Sequence, residues 1–275
     1  MAGKKPQVVD GIKCYCLQVD DNHRDYPATG LDNLYRSERH YFWLVSRCEY
    51  IVEIFKKYVG KHENIIEIGA GTGNVTRNLM AAGYKPAVGE LHLSGLYYAR
   101  SYGIKECYQF DLYDPPFQKH FDVIGMFDVL EHLDSSVEAL KQVNSMLRVN
   151  GKLIITVPAH MWLWSRDDKI AEHKIRYTKS TMKDALKASG FEIVEMKYFF
   201  IFIVPLLWLR KILHSDLNSE VSAVEKKTDI TINPILNKIL LGLCRLESKI
   251  RRILPNLFGG SLLVVAKKIE LESGS

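Results

Sequence analysis

Histidines follow several apolar segments of the chain and are its best candidates for acid–base chemistry. His132 comes shortly after the apolar segment 121–127, His160 follows 152–157, and His173 lies in the long segment 158–178. A histidine can act as a general base because its pKa lies near neutrality. The alternative for each is a structural histidine that caps a loop, whereas Glu131 is expected to face a helix N-terminus or its neighbours.

A glycine-rich loop is the strongest candidate for a ligand site. An apolar segment, 65–68, leads into Gly69, Gly71 and Gly73, and a helix is predicted to follow at once. Glycines allow a tight turn and a close ligand, and the N–H groups of a helix N-terminus favour an anion. The carboxylate of Glu67, just before the loop, suits a cation such as an amino group. A ligand that carries both charges is an amino acid.

The spacing of these glycines separates two classes of enzyme. A dinucleotide-binding loop has the pattern G-x-G-x-x-G, with its third glycine one residue later than Gly73. The observed G-x-G-x-G pattern therefore disfavours an NAD-dependent oxidoreductase, which remains a second hypothesis.

Strand and helix patterns alternate from residue 64 onward, which predicts an α/β fold with a mostly parallel sheet and helices on both faces. Helices are expected over 36–59 with Ser37 as N-cap, and over 74–82, 94–102, 135–148, 179–188 and from Asn233 to before Pro255. Seven strands are expected, over 64–68, 86–90, 106–110, 121–127, 152–157, 191–198 and 261–266.

Polar residues recur at the carboxyl ends of these strands, the edge at which open α/β sheets bind ligands. Glu90 ends the second strand, where a carboxylate can accept hydrogen bonds from ribose hydroxyls. Asp111 and Leu112 follow the third strand, placed to contact an adenine. Phe127 ends the fourth strand and Asp128 follows it.

This set of motifs resembles the class I S-adenosylmethionine-dependent methyltransferase superfamily. The resemblance rests on Glu-Ile-Gly-Ala-Gly-Thr-Gly at 67–73, Val-Gly-Glu ending at 90, Gln-Phe-Asp ending at 111, and the segments 121–133 and 147–155. It covers about residues 60–270 and is closest to small-molecule members, including the ubiquinone-biosynthesis type. It implies a Rossmann-like, doubly wound, seven-stranded, mostly parallel sheet with an antiparallel last strand.

The resemblance also implies a cofactor, a reaction and a set of site residues. The cofactor is S-adenosylmethionine, and the reaction transfers its methyl group to an oxygen or nitrogen of a small-molecule acceptor, such as a natural product, a sugar or a lipid-linked compound. A non-catalytic scaffold or sensor that binds the same cofactor is the alternative. The residues expected at the cofactor are Tyr41, Arg47, Glu67, Gly69, Gly71, Gly73, Glu90, Asp111, Leu112, Phe127 and Asp128, and those expected at the acceptor are Trp43, Trp162, Trp164 and Tyr177.

The domain plan has a core with one insertion. Residues 1–33 are expected to form an irregular arm, 34–198 and 259–270 the methyltransferase core, and 271–275 an expression tail. The segment 199–258 combines a very apolar run with a basic amphipathic helix. It is expected to form a helical lid that buries its apolar stripe on the domain or on a second subunit; the rival hypothesis is peripheral contact with a membrane surface.

Composition sets limits on partners and compartment. The net charge of +5 is too mild to indicate nucleic-acid binding. Five scattered cysteines and the absence of a signal peptide pattern predict a cytoplasmic protein with reduced thiols. No metal is expected, because Cys14, Cys16 and His23 lack a fourth ligand at a suitable spacing.

Overall fold

A nine-stranded sheet forms the centre of the computed structural model, which describes residues 5–19, 29–213 and 232–269. Along the sheet the strands lie in the order β1-β2-β5-β4-β3-β6-β7-β9-β8. The strands are β1 (Gln7–Val9), β2 (Ile12–Cys14), β3 (Ile65–Ile68), β4 (Ala87–Glu90), β5 (Cys107–Gln109), β6 (Phe121–Phe127), β7 (Leu147–Pro158), β8 (Phe191–Phe199) and β9 (Ser261–Lys268).

Strand direction confirms the expected α/β class. All neighbours from β2 to β7 run parallel, whereas β9 is antiparallel to both β7 and β8. Strand order reverses at β3, between β4 on one side and β6 on the other. Ligands of open α/β sheets bind at such a reversal, outside the carboxyl ends of the strands.

Helices cover both faces of the sheet, and the sheet separates two of the buried clusters. One cluster includes Leu140, Val143 and Leu186, and the other includes Ile51, Phe55 and Leu79. The helices are α1 (Thr29–Ser37), α2 (Phe42–Tyr58), α3 (Asn74–Ala81), α4 (Leu93–Ser101), α5 (Ser136–Met146), α6 (Arg166–Ile170), α7 (Lys179–Ala188), α8 (Val204–Leu213) and α9 (Pro234–Ile250).

The N-terminal segment is more ordered than the sequence analysis predicted. Instead of an irregular arm, residues 7–14 form a hairpin whose second strand pairs in parallel with β5 and buries Ile12 and Cys14. Asp10 and Gly11 both have positive φ at the turn, the conformation typical of a two-residue hairpin. Strands of three residues are too short to show an alternating pattern, so the sheet has two more strands than expected. His23 lies outside the described residues.

The helix expected over 36–59 is two helices. Ser37 is not an N-cap but the last residue of α1, and α2 begins at Phe42. No side chain of α2 caps its own N-terminus. Asn237 of α9 does so instead: its Oδ1 accepts from Phe42 N at 2.8 Å, and its Nδ2 donates to His40 O at 2.7 Å.

Most of the apolar stripe of α9 points away from the domain, so burial of the whole stripe on the domain is not observed, and its burial on a second subunit stays a prediction. The face of α9 that contacts α2 buries Leu240, Cys244 and Glu247. Glu49 and Glu53 of α2 hold this face through ion pairs with Arg245 and Arg251. This contact leaves Ile235, Leu236, Ile239, Leu243 and Leu246 exposed. Residues 214–231, the expected linker, and the tail 271–275 are not described.

The remaining differences concern boundaries and the long segment 158–178. β7 begins at Leu147, five residues before its expected start, because α5 ends at Met146. Within 158–178 the short helix α6 begins after Ser165, which forms a capping box with Asp168. No described helix is long and apolar enough to cross a membrane.

Candidate active site

A cavity of about 510 Å³ lies at the carboxyl ends of β3, β4, β5 and β6. It is bordered from above by the start of α2 and from one side by α6. Many of the predicted site residues line it: Trp43, Arg47, Glu67, Gly69, Gly71, Glu90, Asp111, Leu112, Phe127, Asp128, His132 and His173. Its volume falls within the range of small-molecule and cofactor sites.

The glycine loop between β3 and α3 forms one wall of the cavity. Gly69, Gly71 and Gly73 all have positive φ, which side chains other than glycine rarely adopt. Gly73 does not line the cavity; a Cβ there would lie 2.8 Å from Ile104 and 2.9 Å from Ala99. Its place in the motif is explained by close packing of α3 on α4.

Glu67 caps a helix rather than presenting its whole carboxylate to a ligand. Its Oε2 accepts from Thr76 N at 2.8 Å and from Thr76 Oγ1 at 2.6 Å, in the first turn of α3. Burial raises the pKa of Glu67 to about 7, against the lowering effect of these two hydrogen bonds. The side chain still forms part of the cavity floor.

Glu90 fixes the backbone around the loop. Its Oε2 accepts from Gly71 N at 2.7 Å, and its Oε1 accepts from Leu91 N at 2.8 Å and His92 N at 3.1 Å. These bonds hold the carboxylate at the cavity wall. They use three of its roughly four acceptor positions, and Oε2 keeps one, which suits a hydroxyl of a sugar.

Asp111 and Leu112 lie beyond β5 on the same wall. Asp111 Oδ1 accepts from Tyr113 N at 2.8 Å, which orients the carboxylate within a tight turn. Nearby, Gln109 donates to Leu91 O at 3.0 Å and to the carbonyl of Cys16, so the N-terminal segment helps to hold this edge.

An ion pair between Arg47 and Asp128 closes the cavity above β6. Asp128 has a positive φ and accepts from Thr156 Oγ1 at 2.9 Å. Burial disfavours the charge on Arg47, but Asp128, together with Cys48 and Glu67, outweighs this effect and the pKa of Arg47 is raised. The ion pair links α2 to the strand ends.

Two of the three candidate histidines meet at the cavity. The rings of His132 and His173 lie 4.9 Å apart in an edge-on arrangement. His173 Nδ1 lies 2.9 Å from Asp168 Oδ1, which also accepts from Arg176 Nε at 2.7 Å. Burial and the charge of His173 lower the pKa of His132 to about 3.

Glu131 lies behind these histidines and is fully buried. Its Oε1 is 3.9 Å from His173 Nε2. Burial, followed by the charge of Asp128, raises the pKa of Glu131 well above its usual value. Of the two expected surroundings of Glu131, a helix N-terminus donates no hydrogen bond to its carboxylate, whereas the carboxylate does lie against a neighbouring side chain, that of His173.

Six predicted residues lie outside the cavity lining: Gly73, described above, and Tyr41, His160, Trp162, Trp164 and Tyr177. The His160 ring packs on Tyr198 at 4.6 Å, and Tyr177 is buried with its hydroxyl donating to Leu130 O at 3.2 Å. Trp162 is 47% exposed at the surface. The segment 158–178 turns away from the cavity at its start and returns only at α6, which the sequence pattern did not reveal.

The sequence analysis missed several apolar lining residues. Leu31 and Leu34 of α1 and Ile170 and Ala171 at the end of α6 border the cavity. The spacing of Leu31 and Leu34 fits one face of a helix, and Ser165 with Asp168 fits a capping box. Both helices are short, and therefore neither signal stood out from the surrounding sequence.

Comparison with known proteins identifies the family. A family model described as "Methyltransferase domain" matches residues 35–196, more than half of the chain. The chain belongs to this family. It is a class I S-adenosylmethionine-dependent methyltransferase, as the motifs suggested. A comparison with curated protein sequences found no match.

Solved structures share the fold at low identity. A chain from the complex of the Haloferax volcanii Trm112 methyltransferase activator is 15% identical with a TM-score of 0.59, covering 88% of this chain and 96% of that one. Phosphoethanolamine N-methyltransferase 2 of Haemonchus contortus is 14% identical with a TM-score of 0.59, covering 91% and 59%. The cyclase SpnF is 13% identical with a TM-score of 0.53, covering 80% and 81%.

The residues at the cavity fit the cofactor that the family uses. The free N–H groups at the start of α3 suit its carboxylate, and the carboxylate of Glu90 suits its ribose. Apolar side chains such as Leu112 and Phe127 complete a wall against which an adenine can pack. S-adenosylmethionine supplies an electrophilic methyl group when bound, and the chain supplies the cavity that orients it.

Proposed function

We propose that the enzyme methylates an oxygen or nitrogen of a small-molecule acceptor, bound at the end of the cavity where His132 and His173 lie. The observation that supports this most directly is that both histidines share one cavity with Glu90 and the glycine loop. Holding two reactants in line within one enclosed space supplies much of the rate of a displacement reaction.

We infer that the cofactor is bound by the predicted residues that line the cavity. Gly69 and Gly71 with the start of α3 face its amino-acid end, Glu90 its ribose, and Asp111 with Leu112 its adenine. The Arg47–Asp128 pair covers it from above. Gly73 and Tyr41 support this arrangement from outside the cavity.

His173 is the better base of the two histidines. A base works best when its pKa is near the working pH, and the pKa of about 3 makes His132 a weak proton acceptor. Asp168 holds His173 through Nδ1, so Nε2 is the ring nitrogen that remains to accept a proton. A neighbour of the same fold, the Haemonchus enzyme, is named for a small amine acceptor, which supports an acceptor of that size.

Titration calorimetry with S-adenosylhomocysteine tests the cofactor assignment. We expect stoichiometric binding, no binding of NAD, and an affinity lowered about 10- to 100-fold in Glu90→Gln, because hydrogen bonds to a charged group are worth about 1.5–3 kcal/mol. Glu192→Gln, an exposed glutamate on β8, is the matched control. Unchanged affinity in a folded Glu90→Gln protein would contradict the assignment, and a methyl-transfer assay over small amines and alcohols tests the acceptor class.

The outward face of α8 and α9 favours a second proposal, contact with a lipid surface. Trp208, Leu213, Ile235 and Ile253 are between 52% and 81% exposed. The exposed Lys238 and Lys249 of α9 accompany this apolar face, and the combination is typical of helices that lie in the membrane interface. A lipid or lipid-linked acceptor would then reach the enzyme from the membrane.

Vesicle co-sedimentation tests this proposal. We expect binding to vesicles that contain anionic lipid, and its loss in the triple variant Ile235→Lys, Ile239→Lys, Ile253→Lys. Val8→Lys, an equally exposed apolar position on the opposite edge of the sheet, should bind like the parent. Absence of vesicle binding, with a dimer that dissociates in the triple variant, would assign the face to a second copy of this chain.

A further inference from the structure

Glu131 is a buried carboxylate that the proposed reaction does not use. It is 0% exposed, and neither of its oxygens accepts a hydrogen bond from another described residue. A buried charge is costly unless it is paired or coordinates a metal ion. The neighbouring group is His173, with Nε2 at 3.9 Å, which is beyond hydrogen-bond distance.

His173 is oriented as a metal-binding histidine usually is. Asp168 accepts from Nδ1, so the proton is held on that nitrogen and the lone pair of Nε2 points toward Glu131. Metal ligands commonly have a carboxylate behind the imidazole, which fixes the tautomer and makes the free nitrogen more basic. Arg176 fixes Asp168 in turn through a 2.7 Å bond.

His132 completes a set of three potential ligands. One ligand atom from each of Glu131, His132 and His173 lies within 4.8 Å of the other two. Ligand atoms around a tetrahedral ion at 2.0–2.2 Å are about 3.4 Å apart, so side-chain rotations that move these atoms by roughly 1 Å would close the site. Two histidines and one glutamate are a donor set of catalytic zinc sites.

We propose that Glu131, His132 and His173 bind a divalent transition-metal ion such as Zn²⁺ in the wall of the cavity. Asp128 is not assigned as a ligand, because Arg47 and Thr156 hold its two oxygens. Glu131 lies behind the cavity, whereas both histidines line it, so a fourth coordination position faces the acceptor end.

The ion has a role that rests on the proposed function. An oxygen or nitrogen of the acceptor can bind the fourth position, where a metal ion polarises it as a Lewis acid. With the ion bound, His173 would be a ligand through Nε2 instead of the base. The acceptor's hydroxyl or amino group, made more acidic by the metal, would release its proton to solvent water, and its oxygen or nitrogen would take the methyl group as S-adenosylhomocysteine leaves. No metal was expected from the sequence, because only Cys14, Cys16 and His23 were considered as ligands. Glu131, His132 and His173 were not considered together as a metal site.

Metal binding can be measured without cofactor or acceptor. The full-length protein is stripped with a chelator, and Zn²⁺ is titrated by calorimetry, with Co²⁺ absorption as a second readout of ligand geometry. We expect one ion per chain, at least 100-fold weaker binding in Glu131→Gln, and binding about 10- to 100-fold weaker in Asp168→Asn, because loss of an outer carboxylate has an effect of that size. His160→Gln, which changes a histidine outside the cavity, is the matched control.

Thermal unfolding separates ligation from misfolding. In chelator, Glu131→Gln should melt at or above the temperature of the parent, because burial already raises the pKa of Glu131 and the amide replaces a buried carboxyl group with a neutral group of the same shape. Zn²⁺ should raise the melting temperature of the parent and of His160→Gln only. Equal Zn²⁺ binding by the parent and Glu131→Gln, or no stoichiometric binding by the parent, would overturn the proposal. A protein that binds S-adenosylhomocysteine but no metal contradicts the metal site alone, and the converse result contradicts the cofactor assignment alone.

Discussion

At the scale of single residues, Glu67 shows how one side chain serves both the fold and the cavity. Its carboxylate accepts two hydrogen bonds from Thr76 and so takes the place of an N-terminal cap for α3, whose N-cap residue is Gly73. The same burial that makes this possible disfavours its charge. The loop is therefore held by a group whose protonation changes near neutral pH.

The pH dependence of stability follows from this. Because burial raises the pKa of Glu67 from 4.5 to about 7, the folded chain retains a proton that the unfolded chain releases. This contribution to stability is complete below pH 4.5 and is lost as the pH rises through 7, at up to about 1.4 kcal/mol per pH unit.

Glu67→Gln keeps an acceptor for Thr76 and removes the titration. We expect the free energy of unfolding of the variant minus that of the parent to increase by roughly 3 kcal/mol as the pH rises from 4.5 to 8. Urea unfolding at several pH values, without cofactor, measures the difference. Parallel stability curves for the two proteins would show that Glu67 does not titrate in this window.

At the scale of elements, α9 positions the start of α2 although it lies far along the chain. Asn237 satisfies Phe42 N and His40 O, and α2 in turn carries Trp43, Leu44 and Arg47 to the cavity. The insertion thus affects the site indirectly, because it holds the start of α2 in place. None of its described residues lines the cavity, and the lid role of 199–258 stays a prediction.

Removing the Asn237 side chain should weaken both stability and cofactor binding. Asn237→Ala loses two hydrogen bonds worth about 1 kcal/mol each and leaves the first turn of α2 without its cap. We expect a loss of about 2 kcal/mol in the free energy of unfolding and weaker binding of S-adenosylhomocysteine, measured by urea unfolding and calorimetry. The exposed neighbour provides the control, since Lys238→Ala should change stability by less than about 0.5 kcal/mol.

The elements also show which features a sequence can predict. The buried strands β3, β4 and β6 were predicted within one residue because apolar runs next to glycine give a strong local pattern. The break at 38–41 and the cap on Phe42 depend on Asn237, almost 200 residues away, which no local pattern contains. The glycine loop and Glu90 belong to local patterns and were predicted as site residues. Leu31 and Ile170 reach the cavity through the packing of distant segments and were not predicted.

At the scale of the whole molecule, the N-terminal hairpin extends the sheet and belongs to the core. Ile12 is fully buried in a cluster with Val88, Leu96 and Ile104. Because β2 pairs with β5, the hairpin is joined to the sheet by a contact between distant parts of the chain.

Shortening the side chain of Ile12 tests whether the hairpin unfolds together with the rest of the domain. Ile12→Ala should cost about 2–4 kcal/mol in the free energy of unfolding, with one cooperative transition in urea. Val8→Ala, on the exposed neighbouring strand, should have little effect. An unaffected Ile12→Ala protein would mean that the hairpin folds and unfolds independently of the domain.

The two outermost strands have a consequence for how copies of the chain can meet. β1 has only three residues and follows Pro6, while β8 carries Glu192, Glu195 and Lys197 and an irregular register after Ile193. Edge strands that are short, charged or irregular pair poorly with a strand of another chain. The sheets of two copies are thus not expected to pair edge to edge into fibrils. Association between copies is expected through helical surfaces instead.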